Sequence, residues 1–212
     1  MGGAIYSSGA ITGAKILNNT ARNVENFISL FNSDSLYISG NTITNANAPQ
    51  TFNLYGMAFV DMSYSVIVGN RITMSSGSDS TNTTFAIEIL NGDETNQTGN
   101  LIVGNYINCG EDNSYNNGIS LAESEKSIVS SNHIYNARGA LGAIEVASSI
   151  NCVISNNVVD SLSIGVLVNS ASSDVVITGN TFSRGYRRSP WSTGVSVQGA
   201  GVDSSLIKRL LI

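Results

Sequence analysis

Glu88 and Glu145 are the residues whose type and setting suit chemistry best, because each stands between two apolar residues in a similar phrase, Ile87-Glu88-Ile89 and Ile144-Glu145-Val146. A third copy, Ile119-Ser120-Leu121, lies between them. In a half-buried strand alternate residues point to opposite faces. Both carboxylates and the Ser120 hydroxyl are therefore expected on one outward face. Two carboxyl groups about 6.5–9.5 Å apart, with room for water between, are the acid and base of an inverting glycosidase; a retaining enzyme holds them about 5–5.5 Å apart.

The elements that would hold such a pair are repeated along the whole chain. Ile38-Ser39-Gly40-Asn41-Thr42-Ile43 recurs as Ile67 to Ile72, Ile102 to Ile107 and Ile177 to Phe182, with looser copies centred on Asn19, Asn132 and Asn156. A second phrase precedes each, alternating apolar residues and often opening on Gly: Gly118-Ile119-Ser120-Leu121, Gly165-Val166-Leu167-Val168, Gly194-Val195-Ser196-Val197. Self-similarity at this period predicts a solenoid. Each coil holds a strand, a corner, a second strand ending in Gly-Asn, and a short third strand.

Stacking explains the Asn. Parallel coils lie about 4.8 Å apart, so a corner side chain meets its own kind in the next coil, and an amide can donate and accept along that column. Stacked aliphatics at Ile38, Ile67, Ile102, Val129, Val153 and Ile177 are expected to fill the core beneath it.

These phrases resemble the right-handed parallel β-helix of the pectate-lyase-like superfamily, and in particular bacteriophage tailspike and depolymerase domains. The fold class implied is all-β, a single-stranded parallel β-helix of about eight coils. One domain spans 1–212, a segment of a longer protein or an oligomer that covers its own ends, with the tail from Leu206 forming a last coil. The resemblance implies a carbohydrate-directed protein, extracellular or on a virion surface, acting on a polysaccharide or cell-surface glycan as a homotrimer. A fold hosts many functions, so a non-catalytic glycan-binding adhesin and a structural β-helix segment stand as alternatives. The aspartate cluster with matching arginine of pectate lyases, and the Gly-His-Gly and Arg-Ile-Lys elements of polygalacturonases, have no counterpart here.

Composition narrows the partners. A net charge of −5 at pH 7 argues against nucleic acid, whose phosphates call for a basic stripe, and no apolar run is long enough for membrane insertion. Cys109 and Cys152 lie on opposite sides of the corner and are not expected to pair.

Taking Ile5, Ile28, Met57, Ile87, Ile119, Ile144, Val166 and Val195 as equivalent inward positions, the next outward column reads Tyr6, Ser29, Ala58, Glu88, Ser120, Glu145, Leu167, Ser196. Two coils separate the carboxylates, about 9.6 Å between backbones. Glu88 and Glu145 are the expected catalytic pair, with Ser120 facing sugar or water.

Segments 45–55, 75–84, 109–117, 136–141 and 183–193 should emerge along one edge and wall a groove. Tyr115, Tyr186 and Trp191, with Tyr55, offer faces for sugar stacking, and Arg138, Arg187 and Arg188 would take carboxylated or sulfated sugars. The stretch 75–84 reads as a mobile tip. The chemistry calls for no cofactor and no metal, the adjacent acids Asp93-Glu94 and Glu111-Asp112 being too few for a calcium site. Lone His133, after Asn132, reads as a surface corner residue. Phe27, Phe31, Val60, Leu90 and Leu167 are expected on or beside the first-strand face, available to sister subunits.

Overall fold

Each rung of the chain turns through three strands, and each strand pairs in parallel with its equivalent one rung away. The computed structural model describes residues 3–24, 26–46, 55–74, 84–91, 98–110, 116–169, 171–185 and 192–198. The first sheet runs Gly3–Ser7, Asn26–Asp34, Tyr55–Ser63, Thr84–Leu90, Asn116–Ala122, Ile144–Ala147, Ile164–Asn169 and Thr193–Gln198, with short Ile11–Thr12 beside the second of these. A second sheet of seven strands begins at Lys15–Leu17 and ends at Val176–Thr178, and a third begins at Thr20–Arg22 and ends at Thr181–Gly185. No helix occurs among the described residues. The protein is a right-handed parallel β-helix, with eight first-sheet strands in the described residues.

The inward column follows the expected register from Ile5 through Met57 and Ile87 to Val195. Ile28, Met57, Ile87, Ile119, Ile144 and Val166 are all fully buried. They meet Ile38, Ile67 and Ile102 from the second sheet and Ile43, Ile72 and Ile107 from the third in one continuous core. Burying apolar surface contributes about 25 cal/mol per Å², so a core three sheets wide and running the length of the coil is the main source of stability.

Corners are set by backbone handedness. Between second and third strands every rung places one residue at positive φ, in the order Asn18, Gly40, Gly69, Gly104, Ser131, Asn156, Gly179. The residue after it is the ladder asparagine. Asn41 accepts at Oδ1 from the Asn19 amide nitrogen, donates from Nδ2 to the Ile16 carbonyl at 2.9 Å, and donates to Asn70 Oδ1 at 2.9 Å. The same bonds repeat through Asn105, Asn132, Asn157 and Asn180.

One copy of the repeat differs from the expected register by a residue. Asn157, not Asn156, is the ladder residue, and Ile154, not Val153, is the fully buried aliphatic beneath it. Asn156 occupies the left-handed corner position at φ 56°. Asparagine tolerates that conformation better than most residues, so it replaces the glycine of other rungs.

The corner between first and second strands carries a second ladder that the repeat does not advertise, because its members differ. Leu36 donates its amide to Ser65 Oγ, the Ser65 amide to Asn100 Oδ1, and the Asn100 amide to Ser127 Oγ. Cys152 follows in that column, and both cysteines are buried and free.

Candidate functional site

Register alone brings the carboxylates together. Glu88 pairs with Ser120 and Ser120 with Glu145 in successive first-sheet strands, all three on the outward side. Ala58 stands before them and Leu167 after.

The column is not a solvated face. Ser120 is 2% exposed, Glu145 7% and Leu167 1%, while Glu88 is half-buried. Leu167 is outward yet shielded, and Phe27 is buried within the core. Of the apolar residues expected to be available to sister subunits on this face, Leu90 is exposed at 40%, and Phe31 and Val60 are half-buried.

Burial has the expected effect on the acids. Removing a carboxylate from water disfavours its charged form. Glu88 is pushed up to about 7, first by burial and further by the charge of Glu145, against a hydrogen bond from Tyr55 that favours ionisation. Glu145 is also raised by burial, opposed by two donors: Ser120 Oγ to Oε2 at 2.8 Å and Asn169 Nδ2 to Oε1 at 3.0 Å. The environments differ in kind. Glu145 is held by two donors, whereas Glu88 has one and faces a like charge.

Tyr55, expected in a loop, is the first residue of a first-sheet strand and the partner of Glu88. Asn169 was missed. It follows Leu167 by two residues on the same outward face, one rung beyond Glu145, and only the three-dimensional lean of the side chains brings its amide to Oε1. Its Oδ1 is buried with no hydrogen-bond partner.

Arg138 lies half-buried in the segment that joins His133–Tyr135 to Ile144–Ala147, with Nη2 3.5 Å from the Asn136 Oδ1 that accepts from it. That segment is anchored beside the first sheet, its Gly139 amide donating to the Asn116 carbonyl and its Leu141 amide to Asn117 Oδ1. Tyr115, Tyr186, Arg187, Arg188 and Trp191 lie outside the described residues, as do the acids at 93–94 and 111–112, the stretch 75–83 and the tail from Leu206. His133 is exposed on the third sheet, its ring edge-on to Tyr106 at 5.3 Å.

Three parallel sheets wound around one aliphatic core, with an asparagine ladder at a corner, define the class as a parallel β-helix protein. The family of right-handed β-helix regions matches residues 76–206, more than half of the chain, and the chain belongs to it. No curated protein matches the sequence.

Proposed function

We propose that this is a carbohydrate-directed surface protein that hydrolyses a bacterial surface glycan, a tailspike-like depolymerase in which Glu88 is the acid and Glu145 the base. The observation that carries the reading is the shared outward column: a half-buried carboxylate and a buried one two rungs apart, close enough that the charge of one raises the other. An acid that must be protonated near neutrality needs a raised pKa, and Glu88 has it. Its proton passes to the glycosidic oxygen as the bond from that oxygen to the anomeric carbon breaks. Glu145, whose ionised form the hydrogen bonds from Ser120 and Asn169 favour against burial, takes a proton from water as the water oxygen bonds to the anomeric carbon from the opposite side. The products are an alcohol and a sugar of inverted configuration. The two carboxyl groups then return to their starting states by proton exchange with solvent, and no cofactor takes part.

The setting that goes with this reading is extracellular or at a virion surface, with a polysaccharide as substrate and side-by-side copies of the chain as partners. The test is release of reducing ends from a panel of capsular polysaccharides and O-antigens. Wild type should cleave a member of the panel, and Glu88→Gln and Glu145→Gln should each abolish cleavage with the fold intact. Full activity in both variants overturns the assignment.

The burial of Ser120 and Glu145 favours a second reading, glycan binding without cleavage, in which the pair is a closed polar contact. Retention of the wild type on an immobilised glycan with no reducing ends released would select it.

A further inference from the structure

The third sheet turns a cluster of rings and a guanidinium to solvent. Its register puts Arg71, Tyr106 and His133 in one outward column over three successive rungs, and Tyr135 in the next outward column on the rung of His133. Arg71 and His133 are exposed, and Tyr106 and Tyr135 are half-buried. The Arg71 guanidinium carbon lies 4.8 Å from the centre of the Tyr106 ring, and the His133 and Tyr135 rings pack against that ring at 5.3 Å and 5.1 Å. His133 and Tyr135 close the triangle at 5.9 Å. Among the described residues the other ring contact is the isolated pair of Tyr6 and Phe31.

Stacking of rungs does not call for these residues, since the same column is filled by Thr42 before them and by Val158 and Thr181 after them. Charge sets the cluster apart as well. The described strands of this sheet carry Arg22, Arg71 and Arg184 against one acid, Asp160, in a chain whose net charge is −5. Asp160 follows Tyr135 in its column and is engaged by Arg184 through two nitrogens. The ion pairs among the described residues are that one and Lys126 with Glu125, so Arg71 meets a ring and no carboxylate. The hydroxyls are poised too. Tyr106 donates to Tyr135 at 2.7 Å, and two hydroxyls bonded to each other use one proton and leave one. Asn108, beside Tyr135, does not take it, because its Oδ1 already accepts from the Gly110 amide and from Asn136 Nδ2.

The geometry points to a glycan-binding site on the third sheet, for a saccharide that bears a carboxylate. The rings of Tyr106, His133 and Tyr135 form the plate on which the C–H face of a sugar lies, drawn to the negative faces of the rings. The Arg71 guanidinium takes the carboxylate through paired N–H donors, and the spare tyrosine proton takes a ring hydroxyl. A single cation suits one carboxylate, whereas a nucleic acid calls for a row of cations along its phosphates. The site rests on the glycan-directed part of the reading above and adds to it a sugar class and a surface apart from the first-sheet column of Glu88 and Glu145.

His133 is the only histidine of the chain, so its ring resonances report on the site in the unlabelled protein. Proton NMR at fixed pH follows them while the chain is titrated with trigalacturonate, a hyaluronan tetrasaccharide, sialyllactose or uncharged maltotriose. They should shift to saturation with at least one of the three acidic saccharides and stay in place with maltotriose. Arg71→Gln and Tyr106→Ala should each weaken that binding about tenfold or more, with the far-ultraviolet circular dichroism spectrum unchanged. Glu88→Gln, on the first sheet, should bind as the wild type does. A Tyr106→Ala chain that loses its spectrum is replaced by Tyr135→Phe, which removes only a hydroxyl and should weaken binding about threefold. No shift with any acidic saccharide overturns the site, as does a shift that persists unweakened in Arg71→Gln. Equal shifts with maltotriose overturn the carboxylate, and an equal response to oligothymidylate overturns the saccharide. Glycan cleavage with His133 silent keeps the hydrolase and removes this site; a saturating response lost in Arg71→Gln, without cleavage, keeps this site and removes the hydrolase.

Discussion

Two columns of polar side chains run up this coil, and they are built on opposite plans. The corner column is asparagine in all seven rungs from Asn19 to Asn180, and each amide bonds its neighbours. The first-sheet column changes at each rung, from Ala58 to Glu88, Ser120, Glu145 and Leu167. Repetition along a solenoid serves stacking, since each side chain needs only its own kind above and below. Departure from it puts groups where stacking has no use for them, and here those groups are carboxylates held above their ordinary pKa.

The largest effect should come from breaking the regular column. Asn105 is 1% exposed; it accepts from the Asn70 amide and side chain and donates to the Ile67 carbonyl and to Asn132 Oδ1. Asn105→Leu fills the space but orphans these buried partners, each costing about 1–3 kcal/mol. Urea unfolding should show a loss of about 3–5 kcal/mol, and a loss below about 1 kcal/mol would mean the ladder is ornamental to stability.

The irregular column should respond the other way. Glu145→Gln removes a carboxyl whose charged form burial disfavours, and a flipped Asn169 amide can turn its unpaired Oδ1 toward the new Gln Nε2 while Ser120 keeps an acceptor. Stability at neutral pH should hold or rise by about 1 kcal/mol, with glycan cleavage abolished. A strong destabilisation would make Glu145 a structural member like the asparagines and erase the contrast.

Glu88 gives the comparison a pH signature. Its folded pKa of about 7 lies above the ordinary 4.5, so between those values the folded state holds a proton that the unfolded chain has released. Its contribution is therefore fully present below about pH 4.5 and is lost as pH rises to about 7. The melting temperature should fall by a few degrees across that window, and Glu88→Gln should flatten this part of the profile. Cleavage should fail above about pH 7 for the same reason, as the acid loses its proton. An identical stability profile in wild type and Glu88→Gln would place the carboxyl in water.

Much of this was legible from the chain because a solenoid repeats its constraints. Once Ile87, Ile119 and Ile144 are equivalent, parity alone puts Glu88, Ser120 and Glu145 on one outward column, and the pairing agrees. The repeat is ambiguous at Val153 to Val158, where Asn156 and Asn157 are adjacent and both corner positions accept asparagine. The mixed ladder of Ser65, Asn100 and Ser127 was hidden because serine and asparagine offer the same acceptor in different letters. Burial of Ser120 and Glu145, and the reach of Asn169, depend on how side chains lean across rungs, which parity does not encode.

The smallest effect separates strain from crowding at the regular corner itself. Gly104 and Gly179 both have positive φ, 63° and 65°, a conformation that costs a residue bearing a Cβ about 1 kcal/mol. A Cβ on Gly104 would meet nothing within 4 Å, whereas one on Gly179 would lie 2.5 Å from Asn156 Oδ1 in the preceding rung. Asn156 is exposed and can swing into solvent, so the crowding adds only about 0.5 kcal/mol. Gly104→Ala should therefore lose about 1 kcal/mol and Gly179→Ala about 1.5 kcal/mol. Asn156→Gly should bring the second loss back to the first, because a rung that fills the corner with asparagine needs glycine in the rung after it. Equal losses for the two alanines, unchanged by Asn156→Gly, would show that the column records backbone handedness alone.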